Sequence, residues 1–114
     1  MKDIDENCCG DDKPHLCPVE GVINIISKKW AICIISRLGS SDEGYRFNDL
    51  QRSLKGISAK SLSDRLKELN KENLVNREVE ESVPPKVNYT LTEDGKILYQ
   101  KLKPLVNWIN KREG

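Results

Sequence analysis

A chain of 114 residues, 37% hydrophobic and 32% charged, is sized for one domain with a lean core that a partner surface would help to complete. No apolar run approaches the ~20 residues of a membrane span. The acidic start lacks the basic opening and apolar body of a signal peptide, so the expected location is the cytoplasm. The net charge of +1 excludes little, but its distribution is uneven: residues 1–20 carry two lysines against six acids, whereas 46–77 carry eight Lys/Arg against four acids. A basic block in a near-neutral chain is the footprint of a polyanion partner, or else a solvated lysine-rich helix.

In chain order, residues 1–16 are polar, acidic and broken by Gly10 and Pro14, and read as a mobile arm ahead of a domain at 17–112. "CPVEGVINIIS" opens a helix, with Pro18 suited to the first helical position and Glu20 in the first turn, where the dipole favours an acid. "KKWAICIISRL" is apolar on almost every side from Trp30 to Leu38, which predicts a buried central helix with Cys33 in the core. "GSSDEG" ends it. "YRFNDLQRSL" then predicts a short extended piece at Tyr45–Phe47 leading into a brief helix with Phe47, Leu50 and Leu54 inward.

The next stretch, "GISAKSLSDRLKELNKENLV", places Leu62, Leu66 and Leu69 on one helical face. Ser58 is a good N-cap, Ile57 and Leu62 can form a hydrophobic staple across it, and Asn73 can end the helix in a left-handed conformation. The opposite face carries Lys60, Asp64 and Lys67 among Ser61, Ser63 and Glu68. The alternating runs "LVNREVE" and "KVNYTL", joined by the proline-containing "ESVPPK", predict a β-hairpin with a projecting tip. Thr92 then caps a last helix with Glu93 and Asp94 in its first turn and an apolar stripe of Leu98, Leu102, Leu105 and Ile109, with Trp108 beside it. Pro104 should kink or divide that helix. Two short helices around a tight turn with a hairpin directly behind them make an α+β, mostly helical fold, a winged helix-turn-helix. The helix from Ser58 is then the recognition helix, and the hairpin is a two-stranded wing.

Taken together, "CPVE" at 17–20, "KW" at 29–30, "RFNDL" at 46–50, "GISAKSLSDRLKELNKENLVNR" at 56–77, "PPKVNYTLTEDG" at 84–95 and Trp108 resemble the HxlR-type regulators. These are small bacterial and archaeal winged-helix transcription factors allied to the MarR group. The resemblance covers about residues 17 to 109, and its specificity lies in the order and spacing of motifs that are individually weak. The chain departs from the pattern at Lys28 and Asn73, where the family commonly has glycine, and the "CC" at 8–9 falls outside it. The resemblance implies a homodimer whose first and last helices pack against their mates through Val19, Val22, Leu98, Leu102, Leu105, Trp108 and Ile109. Two recognition helices would then enter successive major grooves of a near-palindromic operator. Packing of the last helix on its own domain is the alternative.

Phosphate contacts position such a protein and base contacts give it specificity. Ser58 with the following free amides suits a phosphate. Lys60, Ser61 and Asp64 lie nearest to base edges, since a lysine can read guanine and an aspartate can accept from cytosine N4. Lys67, a turn on, suits phosphate. Arg65, at the edge of the apolar stripe, either holds a neighbouring helix or reaches phosphate, the second being slightly preferred. Lys86 at the tip of the wing and Arg77 on its strand can reach the adjacent minor groove or its phosphates, opposed by Glu78, Glu80 and Glu81, and Arg46 can touch the backbone from the strand before the third helix.

The four cysteines show no CxxC spacing, so thiols rather than disulfides or a structural zinc are expected. Cys17 stands at the N-cap of the first helix, where the dipole favours the thiolate, with Lys13 and His15 close in sequence. It is a candidate sensor of oxidants or small electrophiles, with Cys8 and Cys9 as resolving partners. The resemblance favours this, because several family members use a cysteine at this position in that way. An inert interface cysteine, or a metal site of Cys8, Cys9 and His15, are the alternatives. No catalytic constellation and no cofactor motif is present, so the expectation is a DNA-binding regulator and not an enzyme. A winged-helix protein-interaction module is the second reading, and a thiol enzyme is the last.

Overall fold

The computed structural model describes residues 21–113. The acidic arm, Cys8, Cys9, His15, Cys17, Val19 and the predicted opening turn of the first helix lie outside the described residues. The elements are α1 (Gly21–Ile26), α2 (Ala31–Gly39), β1 (Tyr45–Arg46), α3 (Phe47–Ser53), α4 (Ala59–Lys71), β2 (Val75–Glu80), β3 (Lys86–Leu91) and α5 (Glu93–Glu113). None of these helices is long and apolar enough to cross a membrane.

The core is the set of inward faces that the apolar spacing defined. Ile34, Ile35 and Leu38 of α2, Leu50 and Leu54 around α3, and Ile57, Leu62, Leu66 and Leu69 around α4 pack with Leu74, Val75, Leu91 and Leu102. The predicted central helix differs in two ways. It begins at Ala31, because Trp30 takes a left-handed backbone (φ 78°) that turns the chain from α1 into α2. It is also one-sided: Ile34, Ile35 and Leu38 point inward, while Cys33 is exposed rather than in the core. At ~100° per residue Cys33 falls on the far side of the Ile35–Leu38 seam, and a small side chain there leaves little apolar area in water.

Helix α4 is bounded as its sequence predicts. The Ser58 hydroxyl accepts from the Ser61 amide at 3.0 Å, and Ile57 and Leu62 are both buried beneath the cap. At its other end Asn73 is left-handed (φ 62°), the Leu74 amide donates to the Leu69 carbonyl at 2.9 Å, and the Asn73 amide donates to Asn70 at 3.0 Å. This paired closure is a Schellman motif with asparagine in the usual glycine position.

The wing is wider than predicted. The β2–β3 hairpin pairs Val75 with Leu91, Arg77 with Tyr89 and Val79 with Val87, and β1 adds to the other side of β3 through Tyr45–Tyr89 and Arg46–Asn88. The sheet therefore has three strands in the order β1-β3-β2. Phe47, expected at the end of the extended piece, opens α3 instead, with extended Arg46 as its N-cap. Thr92 then joins the end of α4 to the start of α5. Its hydroxyl donates to the Asn73 carbonyl at 2.7 Å and accepts from the Gly95 amide at 2.9 Å.

Pro104 does not divide the last helix, since α5 runs as one element from Glu93 to Glu113. The carbonyl deprived of its partner is that of Gln100, an exposed residue, so water can satisfy it.

Candidate nucleic-acid interface

Burial of Leu62, Leu66 and Leu69 turns the opposite side of α4 outward, and that side is the candidate surface. Lys60 and Asp64 stand one turn apart on it, with the ammonium 3.1 Å from the carboxylate, and the Lys60 side chain is 84% exposed. Lys67 is exposed one turn further. Ser58 uses its hydroxyl on Ser61, and the first helical bond runs from the Leu62 amide to the Ser58 carbonyl, so the Ala59 and Lys60 amides head the helix with no bond inside it. An anion is favoured there by those donors and by the dipole.

The structure does not bring every predicted contact to this surface. Arg65 is turned inward. Its guanidinium lies 2.9 Å from Glu68 with only a fifth of the side chain exposed, and the other oxygen of Glu68 takes the Lys28 ammonium at 2.9 Å. Arg65 therefore belongs to a half-buried ion triad that ties α4 to the corner between α1 and α2, not to the phosphate-facing set. This role of Lys28 is not readable from its neighbours in the chain, because the triad is made by packing across 40 residues. Arg46 is also engaged, across the sheet, by Glu80 at 3.2 Å. Among the described residues no carboxylate pairs with Lys67, Arg77 or Lys86, and all three are exposed. Lys86 opens β3 opposite Glu80, rather than standing at the tip of the wing.

A second basic element flanks the turn before α4. Asn48, Gln51, Arg52 and Lys55 line a cleft with Gly56 and Ile57. Gln51 steadies the turn by donating to the Ile57 carbonyl at 3.3 Å, Gly56 supplies its positive φ of 96°, and Arg52 pairs with Asp49. Arg52 and Lys55 were visible in the sequence only as part of the basic block.

A tight turn, a capped outward-facing helix and a hairpin directly behind it form one surface. The pattern described as the HxlR-like helix-turn-helix matches residues 25–113. The chain belongs to the HxlR-like helix-turn-helix family. It is 39% identical over 99 residues to an uncharacterized HTH-type transcriptional regulator of Methanothermobacter thermautotrophicus, covering 87% of this chain and 73% of that one. Its fold is similar to a protein described as a possible HxlR family transcriptional factor from Thermoplasma volcanium, with a TM-score of 0.77, 35% identity and 84% of each chain covered. It is also similar to the redox regulator HypR in its oxidized form, with a TM-score of 0.66, 34% identity, and 83% of this chain and 92% of that one covered. The protein is a transcriptional regulator of the HxlR and MarR type, and its family is one of regulators, not enzymes.

This HxlR-type chain has a second surface, on α5. The predicted stripe divides: Leu102 is 6% exposed and belongs to the domain's own core, with Leu98 packed against it, so Leu102 is not on an outer face. The cause is the contact of α5 with α2, which takes the inward side of the helix's first half. Beyond it Leu105, Trp108 and Ile109 stay exposed, Trp108 by 57%, and Ile97 and Val22 are exposed as well. Ile97 was not in the predicted set, because it lies off the Leu98–Leu102 seam.

Proposed function

We propose that this chain acts as a homodimer on a near-palindromic operator, with α4 of each protomer in the major groove. The carrying observation is the outward face of α4, where Lys60, Ser61, Asp64 and Lys67 follow a capped N-terminus. Ser58 and the two leading amides take a phosphate, Lys60, Ser61 and Asp64 face base edges, and Lys67 takes the backbone. Arg52, on the first helix of the motif, and Lys55, in the turn after it, hold the backbone, which that helix crosses in this docking geometry. The wing contributes less: Arg77 and Lys86 reach outward, but Arg46 is held by Glu80, and Glu78 and Glu81 repel phosphate. The exposed Leu105, Trp108, Ile109 and Val22 supply the mate-facing surface. Such a regulator works in the cytoplasm, where bacterial and archaeal chromosomes lie.

The regulator is controlled by oxidation or electrophile modification of Cys17. Likeness to a regulator named for redox control supports this, together with the place of the thiol in "CPVE", a stretch whose sequence predicts a helix opening.

Fluorescence anisotropy on duplex DNA from upstream of the protein's own gene, against a scrambled duplex at two salt concentrations, tests the DNA reading. The expected result is a preference of ~10³ that falls steeply with salt. Lys67→Ala should reduce the salt slope by ~1 without changing the preference. Equal, weak binding to a pool of genomic fragments and to the scrambled duplex would instead favour a protein-interaction module. Diamide should release the wild type from DNA and leave Cys17→Ser bound. Release of both would remove Cys17 from the switch.

A further inference from the structure

Lys60 and Asp64 stand side by side on the outward face of α4. Their geometry points to a single reading unit, and we propose that the ion pair Lys60–Asp64 recognises one G·C base pair, in one orientation, in each half-site. This rests on the DNA-binding reading above and adds which base pair the helix selects.

The pair is a poor device for stabilising a helix. An i, i+4 pair helps most when the acid is N-terminal to the base, and a helix N-terminus favours acids. Here the order is reversed: Lys60 sits in the first turn, Asp64 follows it, and the first turn holds no acid at all. The Lys60 side chain is 84% exposed and that of Asp64 42%, so neither supports the core. What the arrangement does provide is a donor and an acceptor side by side on the outward face, 3.1 Å apart.

That spacing matches an edge of DNA. In a G·C pair the guanine O6 accepts a hydrogen bond from cytosine N4, so these two atoms lie ~2.9 Å apart. Both remain available in the major groove, O6 beside the N7 acceptor and N4 through its second hydrogen. The Lys60 ammonium has three donors. With one on Asp64, two remain for O6 and N7, while Asp64 accepts from N4. The four groups then form a closed ring of alternating donors and acceptors.

The alternatives fit less well. A T·A pair offers O4 and N6–H in the same order but puts a methyl group where the second Lys60 donor needs N7. C·G and A·T present donor and acceptor in reverse, facing ammonium with amine and carboxylate with carbonyl. The pair is also electrically neutral, so Asp64 can approach the groove without the repulsion from phosphates that a lone carboxylate would meet. Asp64 therefore sets specificity by rejecting wrong pairs, more than it adds affinity.

The test is selection of bound duplexes from a randomised duplex library by the full chain, for wild type, Lys60→Ala, Asp64→Ala and the double variant. Affinities are then measured on the selected duplex with each of the four base pairs placed in turn at every half-site position. Wild type should show one position per half-site where G·C exceeds C·G by ~10- to 100-fold, with T·A intermediate. Asp64→Ala should level that one position and leave the others, and the melting temperature, unchanged. At that position the double variant should do no more than the two single variants do separately. If Asp64→Ala keeps the full preference everywhere, the inference is overturned and the DNA reading stands. If wild type selects no motif at all, the DNA reading falls and the inference with it.

Discussion

Ser58 and Glu68 sit on the same stretch of chain but carry different kinds of consequence. Ser58 ends its backbone orphan problem with its own hydroxyl, so Ser58→Ala should cost ~1 kcal/mol and lower the melting temperature by ~4–8 °C for a domain of this size. Glu68 holds two cations at once, Arg65 and Lys28, in partly buried positions. Glu68→Ala should cost ~1 kcal/mol or more, by leaving a half-buried guanidinium without its acceptor. Lys60→Ala, on the open face, should change stability by less than ~0.5 kcal/mol while weakening DNA binding clearly. Thermal melts beside anisotropy titrations separate these cases. A large stability loss in Lys60→Ala, or full binding by it, would contradict the assignment. The same residues mark what was legible. Ser58, Ile57, Leu62 and Asn73 act within a few positions of one another, so their roles could be read locally. Arg65 could not be placed, because its partner set includes Lys28, a contact made only by packing.

At the scale of elements, α4 and α5 are locked end to end. Gly95 lies directly on the Leu74 carbonyl, and a side chain there would run into that backbone. Gly95→Ala should therefore destabilise by ~1–3 kcal/mol, more than its helical position alone would suggest, since alanine is normally the better helix former. A neutral or stabilising result in a denaturant titration would show that this junction gives way easily. The helix α4, the hairpin and α5 were legible because their apolar periods are unambiguous. β1 joined the sheet, and Cys33 left the core, for a common reason: which side of a short or uniformly apolar segment is covered depends on distant elements. Trp30 adds a third case, since nothing in "KKWA" announces a left-handed tryptophan.

For the whole molecule, the described domain buries a core but leaves the far half of α5 with its apolar side chains in water. Leu105→Asp together with Trp108→Ser should convert dimers to monomers in sedimentation, weaken operator binding strongly and leave the melting of the domain core intact. A variant that stays dimeric would place the interface elsewhere. In the proposed homodimer each protomer alone would hold one half-site, so loss of the dimer should weaken binding more than loss of any single contact on α4.

The proposed homodimer sets two copies of α4 in successive major grooves, an arrangement that hydroxyl-radical footprinting of the selected duplex would reveal. Two protected patches on one face of the duplex, related by a two-fold axis and one or more whole helical turns (~10 base pairs each) apart, are predicted. They should fade together in Leu105→Asp/Trp108→Ser. A single patch, a spacing that puts the two halves on opposite faces, or uniform protection without a boundary would exclude that arrangement.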